Sequence, residues 1–210
     1  MLLLTKIFSL IILYVTFNFL PVSASESDSA FQDWVIEFKS SAQNKGVSNE
    51  TLNLVFKNVK FLDQVIKYDR KQPEFFEDTI TYINKRANKS RSRMARNLLK
   101  VNQKLFSEVE KNFYVEKEIL LSLWGIETNF GKHVGKMDII SSLATLSFDK
   151  RRSEFFSNQL LTLIILVDKN LIEVDSLYGS WAGAYGNFQF MPSTIKNYAL
   201  DYHNNNKIEL

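Results

Sequence analysis

The stretch W-G-I-E-T-N-F-G, Trp124 to Gly131, sets one carboxylate among an aromatic side chain, an isoleucine and two glycines, directly after the apolar run I-L-L-S-L. If Val115 to Glu127 is helical and Gly131 ends the helix, Glu127 lies over Leu123 and Trp124, because residues three and four apart share a face. Desolvation among apolar neighbours and the negative end of the helix dipole both disfavour the charged form. The spacing therefore predicts an acid able to give a proton to a leaving oxygen, as in glycosidase chemistry. A second reading of the same residues is a helix-end glutamate that is solvated, or paired with Lys132 or His133.

A second segment, L-Y-G-S-W-A-G-A-Y-G-N-F-Q-F-M-P-S from Leu177 to Ser193, alternates tiny residues with aromatics and adds the neutral hydrogen-bonding groups Ser180, Asn187 and Gln189. Tiny residues allow a ligand close to the backbone, and aromatic faces stack on sugar rings, so the segment reads as a carbohydrate cleft wall. Packing of small residues and aromatics into a core is the competing reading. No acid occurs from Ser176 to Leu200. A two-carboxylate glycosidase needs a partner about 5 to 9.5 Å from the first acid. Asp138, Asp149, Glu154 and Asp175 are the candidates, and a one-carboxylate mechanism, with the nucleophile supplied by the substrate, stays open.

These side chains need a scaffold, and its pattern is helical. Phe31, Trp34, Val35 and Phe38 recur at helical spacing, Gly46 breaks the pattern, and S-N-E-T at 48–51 offers Ser and Asn caps for a further short helix. Pro73 opens another segment, and Glu74 to Glu118, without Gly or Pro, reads as all helix. Ser153 to Asn170, with L-L-T-L-I-I-L-V inside it, reads as a buried helix too short to span a bilayer. Six of the seven glycines fall between Gly125 and Gly186, which concentrates backbone freedom where the chemistry is expected.

A chain of 210 residues with a formal charge of +3 is an ordinary globular protein, long enough for one sizeable core. It has no cysteine, which excludes disulfides, thiolate catalysis, cysteine-ligated metal and a cysteine-linked lipid anchor. Residues 1–24, with an apolar run from Ile7 to Leu20 and V-S-A before Ser25, read as a cleaved signal peptide, an uncleaved anchor being the alternative. Export without disulfides points to a periplasm. The basic run K-R-A-N-K-S-R-S-R-M-A-R, Lys85 to Arg96, reads as a solvated face or as a contact for an anionic polymer. Nucleic acid is not expected, since no reader motif accompanies the run. The end of the chain, D-Y-H-N-N-N-K-I-E-L, imitates an EF-hand opening with Asp201, His203, Asn205 and Glu209. It lacks the turn glycine, and a polar turn is the expectation.

Four segments in order, V-I-K-Y-D-R-K-Q-P-E-F (65–75), L-W-G-I-E-T-N-F-G (123–131), S-L-A-T-L-S-F-D-K-R-R-S-E-F-F (142–156) and G-S-W-A-G-A-Y-G-N-F-Q-F-M-P-S (179–193), resemble the membrane-bound lytic murein transglycosylase B family of the lysozyme-like superfamily. The resemblance implies a mainly α, lysozyme-like catalytic domain over 25–210 with a Gly/aromatic-rich cleft segment. It also implies cleavage of the MurNAc-GlcNAc β-1,4 bond of peptidoglycan to a 1,6-anhydro product, with no cofactor or metal. On matching motif positions it implies that Glu127 is general acid and then base, and that Ser180, Gln189, Arg151 and Arg152 bind substrate. Ion pairing with Asp149 or Glu154 is the alternative for the arginines. Tyr185 stands where the family commonly has methionine. Family members continue with further helices, so the resemblance also implies a chain lacking the family's C-terminal part. The implied partners are glycan strands and cell-wall enzyme complexes, and the alternative function is a catalytically impaired glycan-binding or scaffold protein of the envelope.

Overall fold

A computed structural model describes residues 26–71 and 77–210. The signal-peptide expectation and the start at Pro73 lie outside the described residues. Ten α-helices, a 3₁₀ turn and two two-residue strands are described: α1 (Glu26–Asn44), α2 (Asn49–Val55), α3 (Asp63–Arg70), α4 (Thr79–Arg86), α5 (Lys89–Val101), α6 (Gln103–Phe113), α7 (Lys117–Thr128), β1 (Met137–Asp138), α8 (Ile139–Phe148), α9 (Ser153–Asp168), β2 (Tyr178–Gly179) and α10 (Pro192–Tyr198). The mainly α expectation holds.

Among the described residues, the larger of two hydrophobic clusters is built on α8 and α9. In α8 every residue from Ile139 to Ser147 is buried, and among the described residues two of its hydroxyls reach the chain packed against it while that of Ser142 has no partner. Ser141 Oγ accepts the Lys60 N–H at 3.2 Å and Thr145 Oγ1 accepts the Leu62 N–H at 3.0 Å, which fastens the α2–α3 connection to this helix. Against it packs α1, whose Phe31 ring sits 5.6 Å from both Phe61 and Phe148 in edge-on geometry. The expected cap of α2 forms: Ser48 Oγ accepts the Thr51 N–H at 3.2 Å while donating to Asp168 Oδ1 at 2.5 Å, which ties α2 to the end of α9.

The second cluster joins α5, α6 and α7 through Phe106, Leu121 and Phe130, with Met94, Ala95, Leu98, Leu99, Leu120 and Trp124 packed around them. The described part of the 74–118 stretch is not one helix run. Asn88 caps α5 through its Oδ1 and the Arg91 N–H at 2.9 Å, Asn102 stands between α5 and α6, and Tyr114 turns the chain at φ 57°. Asparagine side chains that satisfy free backbone groups break a helix as effectively as glycine. The α6–α7 corner is closed by Glu110, which accepts from the Lys117 N–H at 3.2 Å and from Nζ at 2.8 Å.

Candidate active site between α7 and the glycine-aromatic loop

The last turn of α7 is fixed by a short polar clamp. Leu121, Gly125 and Thr128 form its buried face at spacings of four and three. Thr128 Oγ1 donates to the Asn187 carbonyl at 2.8 Å and accepts the Gly131 N–H at 3.0 Å, and Trp124 Nε1 donates to Asn187 Oδ1 at 2.9 Å. One asparagine of the loop is thus held at its backbone and its side chain by the two residues that flank Glu127 on the helix.

The helix stops one residue later than Glu127, and the left-handed cap is Asn129 (φ 52°), followed by Phe130 (φ 60°) and Gly131 (φ 79°). The expectation of Gly131 as the cap is corrected by two residues, because asparagine also tolerates the left-handed region. This tight reversal folds the Phe130 ring back onto α7, edge-on to Trp124 at 5.8 Å. A side chain at Gly125 would meet that ring at 2.8 Å, which explains the glycine of W-G-I-E.

Glu127 is turned away from the buried face of α7 and is exposed, and Leu123, one turn back, is 46% exposed. The expected desolvated acid is therefore not what the fold provides. Leu123 and Trp124 are its helical neighbours but do not cover it, because cover comes from other elements and α7 is apolar around most of its circumference. What stands is the position: an open carboxylate in the final turn, beside a loop locked to its neighbours.

The loop is a chain of tight closures. β1 pairs antiparallel with β2, Met137 opposite Gly179 and Asp138 opposite Tyr178, and Gly135 lies against the Gly179 carbonyl where no side chain fits. Ser180 Oγ accepts the Ala184 N–H at 2.9 Å and the Ala182 N–H at 3.3 Å. Tyr185 and Phe190 exchange backbone hydrogen bonds at 3.0 Å across G-N-F-Q. Gln189, at φ 51°, donates through Nε2 to the carbonyls of Val134 at 3.0 Å and Gly186 at 2.9 Å. The contacts described for Ser180 and Gln189 thus fix the loop's own shape. The aromatics divide between the two sequence readings: Trp181 and Tyr185 pack on the core, whereas Tyr178 and Phe190 are exposed and Phe188 stacks on Phe190 at 6.0 Å.

Among the described residues Arg151 and Arg152 make no hydrogen bond or ion pair with this loop. The competing expectation of pairing with Asp149 or Glu154 is corrected to a different acid, Asp69 on α3, which is 3% exposed. Arg151 donates to its two carboxylate oxygens at 2.7 and 2.8 Å and to its backbone carbonyl at 2.9 Å, and Arg152 donates to Oδ1. Arg70 bridges Asp69 at 2.9 Å and Asp149 at 2.8 Å. Burial pushes the Asp69 carboxyl up, but the hydrogen bonds and charges of Arg151 and Arg152 outweigh it and hold the group below the ordinary aspartate range. Asp149 is held low as well, chiefly by its Arg70 hydrogen bond.

Of the proposed second carboxylates, Asp138 caps α8 through the Ser141 N–H at 2.5 Å and Asp149 belongs to the Arg70 bridge, while Glu154 and Asp175 are exposed at the starts of α9 and the 3₁₀ turn (Val174–Ser176). Asp201 accepts the Asn205 and Asn206 N–H groups at 3.0 and 2.7 Å, closing the final polar turn.

Sequence reasoning did not single out Thr128 or Asp69. Thr128 carried a signal, a β-branched hydroxyl in the last turn of an apolar helix, where it needs a partner. We predict that Thr128→Val lowers stability by about 1–3 kcal/mol, since a near-isosteric side chain leaves the Asn187 carbonyl and the Gly131 N–H unpaired. The midpoint of urea denaturation reads this out, and an unchanged midpoint would show that the clamp carries no weight.

Residues 30–210 match the model of the transglycosylase SLT domain. The membrane-bound lytic murein transglycosylase B of Escherichia coli (strain K12) is 42% identical over 97 residues, which are 46% of this chain and 27% of that protein. SltB3 of Pseudomonas aeruginosa, solved with NAG-anhNAM-pentapeptide, superposes with a TM-score of 0.80 at 32% identity over 84% of this chain and 47% of its own. The Escherichia coli lytic transglycosylase Slt35, solved with bulgecin A, gives 0.72 at 28% identity over 87% and 58%. The chain thus spans about half the length of these solved relatives. With the family model covering the chain from α1 through the Glu127 helix and the glycine-aromatic loop to its last residue, the chain belongs to the transglycosylase SLT domain family.

Proposed function

We propose that this chain is the glycan-cleaving part of a periplasmic lytic murein transglycosylase, exported by residues 1–24 and acting through Glu127 as its one acid and base. The observation that carries the reading is the Trp124–Asn187–Thr128 clamp, which fixes an open carboxylate beside a loop that presents Tyr178, Phe188 and Phe190. A muramyl unit stacked there would lie over Glu127. Glu127 then gives its proton to the glycosidic oxygen as the bond from that oxygen to the muramyl C1 breaks. The muramyl C6 hydroxyl bonds to C1 and returns its proton to Glu127, so water is not consumed and the enzyme ends protonated as it began.

SltB3 supports the substrate class, having been solved with both NAG-NAM-pentapeptide and NAG-anhNAM-pentapeptide. Within this reading Ser180 and Gln189 shape the sugar-facing loop. Arg151 and Arg152, with 45% and 39% of their side chains exposed, retain N–H groups with no partner among the described residues, which can reach substrate while Asp69 holds them. Digestion of purified sacculi, followed by mass spectrometry, tests the reading. The expected products are 1,6-anhydromuropeptides. Products ending in reducing muramic acid would instead identify hydrolysis with a second carboxylate, and sacculus binding without soluble product a glycan-binding role.

A further inference from the structure

The charge of this protein is segregated. Residues 79–107 contain eight lysines and arginines and no aspartate or glutamate, in a chain whose formal charge is only +3. The structure orders half of them: Lys89, Arg93, Arg96 and Lys100 of α5 fall at spacings of four, three and four, and all four are exposed. They form one stripe about 16 Å long at 1.5 Å per residue. Among the described residues none of the four forms an ion pair, whereas Lys85 just upstream is paired with Glu77 at 2.5 Å. The opposite side of α5, through Met94, Ala95, Leu98 and Leu99, packs on the cluster that contains Trp124 and Phe130 of the Glu127 region.

Immediately before α5 in the chain, the described residues hold an apolar feature that no core cluster takes up. Helix α4 buries none of its residues, and its Ile80 and Ile83, three apart on one face, are 72% and 53% exposed. A hydrated acidic polymer would reward the cations and give the isoleucines nothing. An anionic lipid surface rewards both, because cations reach the headgroups while short apolar side chains enter the boundary beneath them.

We propose that α4 and the basic stripe of α5 form a docking face for an anionic phospholipid surface. The contact is peripheral: among the described residues no helix is long and apolar enough to cross a membrane. Because α7 packs against the other side of α5, docking leaves Glu127 about one helix layer, roughly 10 Å, from the bilayer and free to meet a glycan. The inference does not depend on the activity proposed above.

Sedimentation of the full chain with vesicles tests it, using phosphatidylglycerol:phosphatidylcholine 3:7 against pure phosphatidylcholine. The apolar leader is common to every arm, so the readout is the difference between the two compositions. The chain is expected to bind the anionic vesicles at least tenfold more tightly, with the advantage falling as salt rises. The quadruple variant Lys89→Gln, Arg93→Gln, Arg96→Gln, Lys100→Gln should weaken binding to them on the order of 1000-fold. An unchanged thermal midpoint shows that this variant is folded. Equal binding to both compositions, or undiminished binding by the folded variant, overturns the proposal. So does a variant that keeps vesicle binding and loses sacculus binding, which would assign the stripe to carboxylates of peptidoglycan peptides.

Discussion

Glu127→Gln is expected to cut release of 1,6-anhydromuropeptides from sacculi by about 100-fold or more, the usual worth of a positioned proton donor and acceptor. The amide keeps the size and hydrogen-bonding reach of the acid, but it can neither deliver a proton to the glycosidic oxygen nor accept one from the C6 hydroxyl. Stability should not move, within about 0.5 kcal/mol, because the side chain is exposed. Activity without stability is therefore the signature to look for. Glu127→Asp should retain part of the rate if the clamp holds the helix in register, since only one methylene of reach is lost. Full activity of Glu127→Gln would remove this residue from the chemistry.

The largest expected effect on folding belongs to Asp69→Asn. Asp69 is nearly fully buried and gathers three guanidinium groups, from Arg70, Arg151 and Arg152, thereby joining α3 to the connection between α8 and α9. Removing one partner of a buried ion pair costs about 3–5 kcal/mol. We expect about 3 kcal/mol here, because the arginines are 39–46% exposed and regain some hydration. The pH dependence follows from the sign of the shift. The folded carboxyl titrates below its unfolded value, so its stabilisation is fully present above about pH 4 and is lost as pH falls through the folded pKa. The difference in denaturation midpoint between wild type and Asp69→Asn should be constant near neutrality and should shrink below pH 4. A gap that does not shrink at all as pH falls below about 4 would locate the cost in packing rather than charge.

Much of the scaffold is written locally. The spacing of Phe31, Trp34, Val35 and Phe38, the Ser48 cap, and the apolar run inside Ser153 to Asn170 each specify an element that the fold contains, because helical periodicity and capping are short-range effects. The breaks at Asn88 and Asn102 were less legible, since neither residue forbids a helix. Their effect depends on a side chain choosing a cap over continuation.

For the site, the sequence by itself determined which side chains are available: a single acid in W-G-I-E-T, the tiny and aromatic residues of the loop, and an arginine pair. Which way they face was decided only by the tertiary structure. Helix α7 is apolar around most of its surface, so periodicity could not tell that Leu121, Gly125 and Thr128 turn inward and leave Glu127 open. Nor could it tell that Asn187 of the distant loop would lock onto Trp124 and Thr128, or that Asp69, about eighty residues earlier, would claim Arg151 and Arg152. Local sequence fixes backbone periodicity through steric and hydrogen-bonding preferences. Burial and charge pairing depend on which remote segments meet, and only the packed chain supplies that.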